Sequence, residues 1–237
     1  MQGILVGQRR ISVTPKFITI AGKGAAASEY RLAIAWWRHA LQSGISAPLA
    51  PRLVFPHITE IGSVFQFTDA AREAGTGFGG FSVVRIQNVP TFLYIDPRWP
   101  EVSRQQLQEN ILSMPAGEGL GVVLMADALI EYLGDVSHLT IFSDSDPVVA
   151  SINSANSGSP QLNFIVRWLL ERHQKTQMIA VHQPGVRNGA ADDLSRHSSA
   201  AVLETAGAAG LQIIQLPLPK GWIELVDRAA EYPQRAK

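Results

Sequence analysis

The feature that most constrains the chain is the succession of elements it spells out after Val64. Short runs of strand formers stand at Val64–Thr68, Phe81–Arg85, Thr91–Ile95, Leu139–Ser143 and Met178–His182. Between them lie stretches with helical spacing. Leu162, Ile165, Val166, Leu169 and Leu170 fall at i, i+3, i+4, i+7 and i+8, the pattern of a helix with one apolar face. Residues 116–133 read as a second helix, with Gly117, Gly119 and Gly121 expected to loosen its start. Pro147 suits the first turn of a short helix reaching Asn153, and Ala190–Arg196 opens another helix after the Pro184-Gly185 turn. Three strands, helix, strand, helices, strand and helix make an α/β domain. Leu211–Leu216 and Ile223–Ala230 add a possible further strand and a final helix.

Ahead of this domain, residues 24–44 read as an Ala-rich helix with Tyr30, Ile34, Trp37 and Leu41 on one face. Trp36 and Trp37 cannot both face one core, which leaves one for stacking on a base or for a partner domain. Pro48, Pro51 and Pro56 make residues 45–60 a linker. The expected division is an N-terminal basic extension at 1–61, the α/β domain at 62–197 and a C-terminal extension at 198–237. The chain is neutral overall, yet Met1–Leu41 carries six basic residues against Glu29 alone. That segment is therefore +5 and the remainder −5, a basic arm before an acidic body. Such a distribution suits phosphate contacts by the arm and cation binding by the body, and equally an ordinary solvated basic helix.

Several function classes fall away on composition. With no cysteine there is no disulfide, thiolate zinc site or cysteine nucleophile. A metal would have to be held by carboxylates or histidines, and carboxylates favour magnesium or manganese. The most apolar stretch, Leu120–Ile130, is broken by Asp127, so no membrane partner is expected. No secretory signal is visible, and the expected location is intracellular, in cytoplasm or nucleus.

The acids occupy suggestive places. Asp69 follows the first strand, Asp144 follows the fourth, Asp192 opens the helix after the fifth, and Glu118 lies near the start of the first helix of the domain. Strand ends and helix starts gather at one edge of such a sheet. Any one of these acids, taken singly, reads first as a turn residue or helix N-cap, and it is the conjunction of four that points to a site. Four crowded carboxylates would repel one another, and a divalent cation resolves the conflict.

At these residues the chain resembles the ribonuclease H domains of retroelement reverse transcriptases, including those of LTR and DIRS-like retrotransposons. The closing stretch His182-Gln-Pro-Gly-Val-Arg-Asn188-Gly-Ala-Ala-Asp192-Asp-Leu-Ser-Arg196 is similar to that family's H-x-P-G-x-x-N-x-x-A-D-x-L-S-R signature. Phe67-Thr-Asp69 followed by Gly77-Phe-Gly-Gly80 looks like its first-strand aspartate and glycine-containing turn, and Ile141-Phe-Ser-Asp144 like its fourth-strand aspartate. Glu118 stands 26 positions before Asp144, room for a helix, a short turn and a strand. Glu109 competes for that role but precedes Pro115 and lies outside the helical run. One departure is Ser145, where asparagine usually follows the fourth-strand aspartate; Asp146 comes next.

The resemblance implies a ribonuclease H-like fold, a five-stranded mixed sheet flanked by helices behind an N-terminal helical extension. It implies a hydrolase cutting the RNA strand of an RNA–DNA hybrid with two Mg2+ ions, Mn2+ being a substitute. Asp69, Glu118, Asp144 and Asp192 would be the catalytic metal-binding carboxylates. His182 and Asn188 would be auxiliary, with Asn188 fixing the loop before the last helix, and Arg187 and Arg196 would contact substrate phosphates. The expected partners are the hybrid and a reverse transcriptase polymerase domain of the same polyprotein, of which this chain would be a C-terminal piece. An inactive remnant that binds nucleic acid or a partner is the alternative reading, and a DNA-cutting nuclease of the same fold is a third.

Overall fold

The computed structural model describes residues 4–6, 9–11, 58–73 and 75–232. The expected helix over residues 24–44, with Trp36 and Trp37, lies outside them. The chain divides into two compact units, Met1–Ala47 and Pro48–Lys237. Within the first, β1 (Ile4–Val6) pairs antiparallel with β2 (Arg9–Ile11), a ladder that three-residue strands left unannounced in the sequence.

The second unit is built on seven strands: β3 (Thr59–Glu60), β4 (Ser63–Ala70), β5 (Phe78–Ile86), β6 (Val89–Ile95), β7 (His138–Ser143), β8 (Gln177–His182) and β9 (Gln212–Gln215). They lie in the order β8-β7-β4-β5-β6-β9, with β3 pairing β5. β4, β5 and β6 form an antiparallel meander, whereas β7 runs parallel to β4 and β8 parallel to β7. The helices are α1 (Glu101–Gln108), α2 (Met114–Leu133), α3 (Asp146–Ser154), α4 (Pro160–Arg172), α5 (Gly189–Ser195), α6 (Ser199–Ala208) and α7 (Trp222–Glu231).

This is the mixed α/β architecture expected, with two additions. The sheet has seven strands rather than five, because β3 and β9 extend it. The expected domain end at 197 is also too early. β9 pairs parallel with β6 over Thr91–Tyr94, α6 packs Val202 and Ala206 into the core, and α7 packs Leu225, Val226 and Ala229. Among the described residues no helix is long and apolar enough to cross a membrane.

Alternation along the strands gives the sheet two apolar faces. Val64, Ala70, Phe78, Val84, Leu93 and Ile141 pack with α2, α4 and α7. Phe67, Phe81, Val83, Phe92 and Tyr94 pack with α5 and α6. On that second face Phe67 stacks between Phe81 (4.8 Å) and Phe142 (4.6 Å). The long helix α2 starts at Ser113, whose hydroxyl accepts from the Ala116 N–H at 3.4 Å, with Pro115 in the first turn. It remains helical for 20 residues despite its glycines. Those glycines are contact points rather than weak points. A Cβ at Gly119 would sit 2.8 Å from Leu162 Cδ1, one at Gly117 3.3 Å from the Trp99 ring, and one at Gly121 3.5 Å from the Asp69 carbonyl. Their absence of side chains brings α2 down onto the sheet.

Two amides fasten the periphery. The Asn153 side chain donates to the Ala180 carbonyl (2.8 Å) and accepts from the Ala180 N–H (2.9 Å), holding α3 to the edge strand β8. Gln161, fully buried, accepts from Ser113 N and donates to the carbonyls of Ile111 and Tyr232, joining α4 to two other segments.

Candidate active site

Register brings the first two acids together. β4 and β7 are parallel with Phe67 opposite Phe142, so two residues further on Asp69 and Asp144 leave the same edge of neighbouring strands. Asp69 lies opposite Gly79 across the β4–β5 pair. Gly79 has no side chain for a specific reason. A Cβ there would fall 2.1 Å from the Ala191 carbonyl oxygen and 2.3 Å from Ser195 N, so only glycine lets α5 lie directly on β5. That approach places Asp192, on α5, beside Asp69. The Gly77–Gly80 run, expected as a connection, is largely inside the strand: β5 already begins at Phe78.

Glu118 arrives from the opposite face on α2, one turn before Gly121, which lies on the Asp69 backbone. The four acids thus form an electrostatic chain. Burial raises the pKa of Asp69 to about 7, with repulsion from Asp144 and then Asp192 adding to it. Burial also raises Glu118, and Asp144 repels it further. Asp144 is common to both. Glu109, the competing glutamate, caps the C-terminus of α1 and accepts from Gln105, outside this group.

The loop after β8 closes round Asp144. A Cβ at Gly185 would lie 3.1 Å from Asp144 Oδ2, so the Pro-Gly turn rests against the carboxylate. His182 Nε2 donates to the Asp144 carbonyl oxygen at 3.2 Å, which fixes the proton on that nitrogen because a carbonyl can only accept. The imidazole is 3.7 Å from the exposed Asp146 carboxylate. Asn188, buried, donates to the Thr68 carbonyl at 2.9 Å and so ties the start of α5 to β4 one residue before Asp69. Its role in the structure is to fix that junction.

The two arginines differ. Arg187 is exposed and its guanidinium has no ion pair among the described residues. Arg196 is engaged: Nε donates to Asp192 Oδ1 at 2.7 Å and Nη1 lies 3.4 Å from Glu73 Oε2. It is held against Asp192 and Glu73, with its side chain half-exposed. Ser145 sits beside Glu118 and moderates the rise in its pKa, although its hydroxyl meets no partner at full hydrogen-bonding geometry.

Three participants went unnoticed in the sequence. The Ser195 hydroxyl, buried, is 3.0 Å from Asp69 Oδ2 and 2.8 Å from the Asp192 carbonyl oxygen. Glu73 anchors Arg196, and Gly79 admits the helix. Ser195 and Arg196 stood inside the closing stretch and Gly79 inside the Gly77–Gly80 run, but nothing there signalled these contacts. Elsewhere, buried Asp127 pairs with His173 and Arg172 and belongs to the α2–α4 packing, so His173 is not a ligand candidate.

No protein-family model matches the chain, and no curated protein matches it. Among solved structures it is similar to the N-terminal RNase H domain of rv2228c from Mycobacterium tuberculosis, solved as a fusion with maltose-binding protein. That likeness has a TM-score of 0.39 and 18% identity over 61% of this chain and 98% of that one. RNase H1 from the halophilic archaeon Halobacterium salinarum NRC-1 gives a TM-score of 0.39 and 17% identity, over 60% of this chain and 99% of that one. At these values the likenesses carry no argument about activity, which has to be read from the side chains at the sheet edge.

Proposed function

We propose that the chain is a metal-dependent ribonuclease H-type hydrolase that cuts the RNA strand of RNA–DNA hybrids. The observation that carries this reading is the convergence of Asp69, Glu118, Asp144 and Asp192 from two strand ends and two helices. Burial lifts Asp69 to about 7, and repulsion from Asp144 and Asp192 adds to it, a cost that a bound cation would relieve.

The donor set fits magnesium or manganese. All four side chains offer hard oxygen donors, and Asp144 faces both Asp69 and Glu118. Among the described residues no three acidic or histidine side chains are close enough to cage one ion. Magnesium does not require a cage, since it is commonly held by one or two carboxylates and completed by waters and substrate phosphate. Asp69 with Asp144, and Glu118 with Asp144, are the pairs that would hold ions, with Asp192 beside Asp69. Bound there, such ions would activate water and offset charge on the reacting phosphate.

The chain's own residues do the rest. Arg187, exposed and with no ion pair among the described residues, is the proposed contact for a backbone phosphate. His182 donates from Nε2 to the Asp144 carbonyl and holds the loop after β8 against that acid. Asn188 keeps Asp192 in step with Asp69 through Thr68. In a retroelement the hybrid would come from a reverse transcriptase polymerase, and that polymerase is the proposed partner.

The experiment is cleavage of labelled RNA–DNA hybrid, duplex RNA and duplex DNA by the purified chain with magnesium, manganese or chelator. Asp69→Asn and Asp144→Asn are run beside it. The expected outcome is cation-dependent cutting of the RNA strand of the hybrid alone, lost in both variants. Cutting of duplex DNA would make it a different nuclease. A folded chain that binds hybrid without cutting it would leave a non-catalytic binding module.

A further inference from the structure

The loop between β8 and α5 buries nothing of its own, yet it is braced at both ends. Pro184, Gly185, Val186 and Arg187 are all exposed. On the entry side Gln183 N donates to the Ser143 carbonyl (2.9 Å) and His182 Nε2 to the Asp144 carbonyl (3.2 Å). On the exit side Asn188 donates from its backbone N–H to the Gly185 carbonyl and from its side chain to the Thr68 carbonyl, both at 2.9 Å. Across the loop the Gln183 side chain donates to the Arg187 carbonyl (2.8 Å), and Arg187 N donates to the Pro184 carbonyl (2.7 Å). At its foot Gly185 rests against Asp144. Val186 stands out from this frame at 87% exposure, the highest of any large apolar side chain among the described residues.

A single exposed valine is ordinary on a protein surface. This one differs in what surrounds it. The residue before it touches an acid of the site, and the residue after it is Arg187, exposed and with no ion pair among the described residues. The bracing keeps the valine from folding back onto the protein, so its apolar surface is covered only by something that approaches the acids. A sugar–phosphate backbone fits the pair: its phosphates suit a guanidinium, and the C–H faces of the sugars between them suit a valine. We propose that Val186 is a substrate-contacting residue. It packs on a sugar of the strand that Arg187 holds by a phosphate, and together they fix that strand against the acids. The inference rests on the hybrid-cutting reading above and adds an apolar contact to it.

The test uses the full chain as wild type, Val186→Ala, Val186→Leu and Val186→Asp. Binding of a labelled RNA–DNA hybrid is followed by fluorescence anisotropy in chelator, KM and kcat are measured with magnesium, and thermal unfolding reports folding. An 87% exposed side chain can be changed without loss of packing, so all four chains should share one Tm. Val186→Ala is expected to raise Kd and KM about fourfold, the scale for two half-buried methyl groups, with kcat unchanged. Val186→Leu should keep wild-type values. Val186→Asp, which sets a carboxylate against phosphates, should raise both more than about tenfold. Wild-type Kd and KM in Val186→Ala overturn the proposal even if Val186→Asp binds poorly, because repulsion alone needs no contact. A wild type that binds hybrid without cutting it overturns the nuclease reading, while the Kd series still decides the contact. A wild type that neither binds nor cuts hybrid overturns both.

Discussion

Replacing Gly79 by alanine adds one methyl group at the place where α5 rests on β5. In the native geometry that carbon would lie 2.1 Å from the Ala191 carbonyl oxygen, 2.3 Å from Ser195 N and 2.8 Å from Leu194 Cβ. Two of the three are backbone atoms and cannot swing aside. Ordinary contact begins at 3.4 Å, so the helix has to retreat by about 1.3 Å at Ala191. Overpacking of this kind costs about 1–3 kcal/mol, and the rigid partner places it at the upper end. For a domain of this size that corresponds to a fall of roughly 6–12 °C in Tm. A retreat on that scale also stretches the Ser195–Asp69 hydrogen bond from 3.0 Å to about 4 Å, past bonding distance. Asp192 moves away from Asp69, and a misplacement of about 1 Å at a reacting centre is worth roughly a hundredfold in rate.

Gly80→Ala is the internal control. Its nearest contacts are Met125 Cγ, Sδ and Cβ at 3.0–3.2 Å, side-chain atoms that need give only a few tenths of an ångström, unlike the backbone overlap at Gly79. The assays are thermal unfolding and initial rates of hybrid cleavage at saturating magnesium, corrected for the folded fraction. Gly79→Ala should lose both stability and rate, and Gly80→Ala little of either. Equal damage from the two alanines, or a Gly79→Ala chain with wild-type Tm and rate, would refute the claim that close backbone approach at this glycine positions Asp192.

Two further outcomes follow from the charges. Asp69 titrates near 7 in the folded chain and near its ordinary 3.8 when unfolded, so the stability from its protonation is full below about pH 4 and lost as pH rises through 7. In chelator this group alone should lower unfolding free energy by up to about 4 kcal/mol between pH 4 and pH 8. Asp69→Asn should remove that slope, stabilising the chain at pH 8 and changing little at pH 4; urea unfolding at the two pH values checks it. Asp127, only 3% exposed and paired with His173 and Arg172, is an acid of the packing instead. Asp127→Ala should destabilise by about 3–5 kcal/mol, while cleavage per folded molecule stays at the wild-type rate.

How much of this could be read from the sequence depended on whether one residue or a pairing carried the information. The strands at 63–70, 89–95, 138–143 and 177–182 declare themselves by β-branched and aromatic runs, and the helix at 160–172 by its apolar spacing. α1 gives no such signal, since Val102 and Leu107 are its only large apolar residues and Val102 is 60% exposed. α6 is Ala-rich and buries only Val202 and Ala206, too few to make a stripe. The positions of Asp69 and Asp144 were legible because both sit where strands end. Ser195, Glu73 and Gly79 were not, because each acts only through a residue distant in sequence and near in space. The glycines of α2 were misread for the same reason: a helix propensity is local, whereas close packing on Leu162, Trp99 and the Asp69 backbone is not.

The placement of α5 shows what holds the site in register. A helix of seven residues has little stability of its own, so its position is set by what it is fastened to. At its start Asn188 bonds to the Thr68 carbonyl, and at its end Ser195 bonds to the Asp69 carboxylate. Both anchors lie on adjacent residues of β4. Between them Ala190, Ala191 and Leu194 press into the face made by Phe67, Phe81 and Phe92. Asp192 and Asp69 are therefore carried as one unit, and a change that shifts α5 on its face moves Asp192 relative to the rest. Glu118 answers to a different set of contacts, through α2 packed on Leu162, Trp99 and Phe78 on the other side of the sheet. Asp144 is the acid that faces both halves. Asp69 and Asp192 thus answer to one face and Glu118 to the other, with Asp144 between them at a strand end, and perturbations of the two faces should separate accordingly.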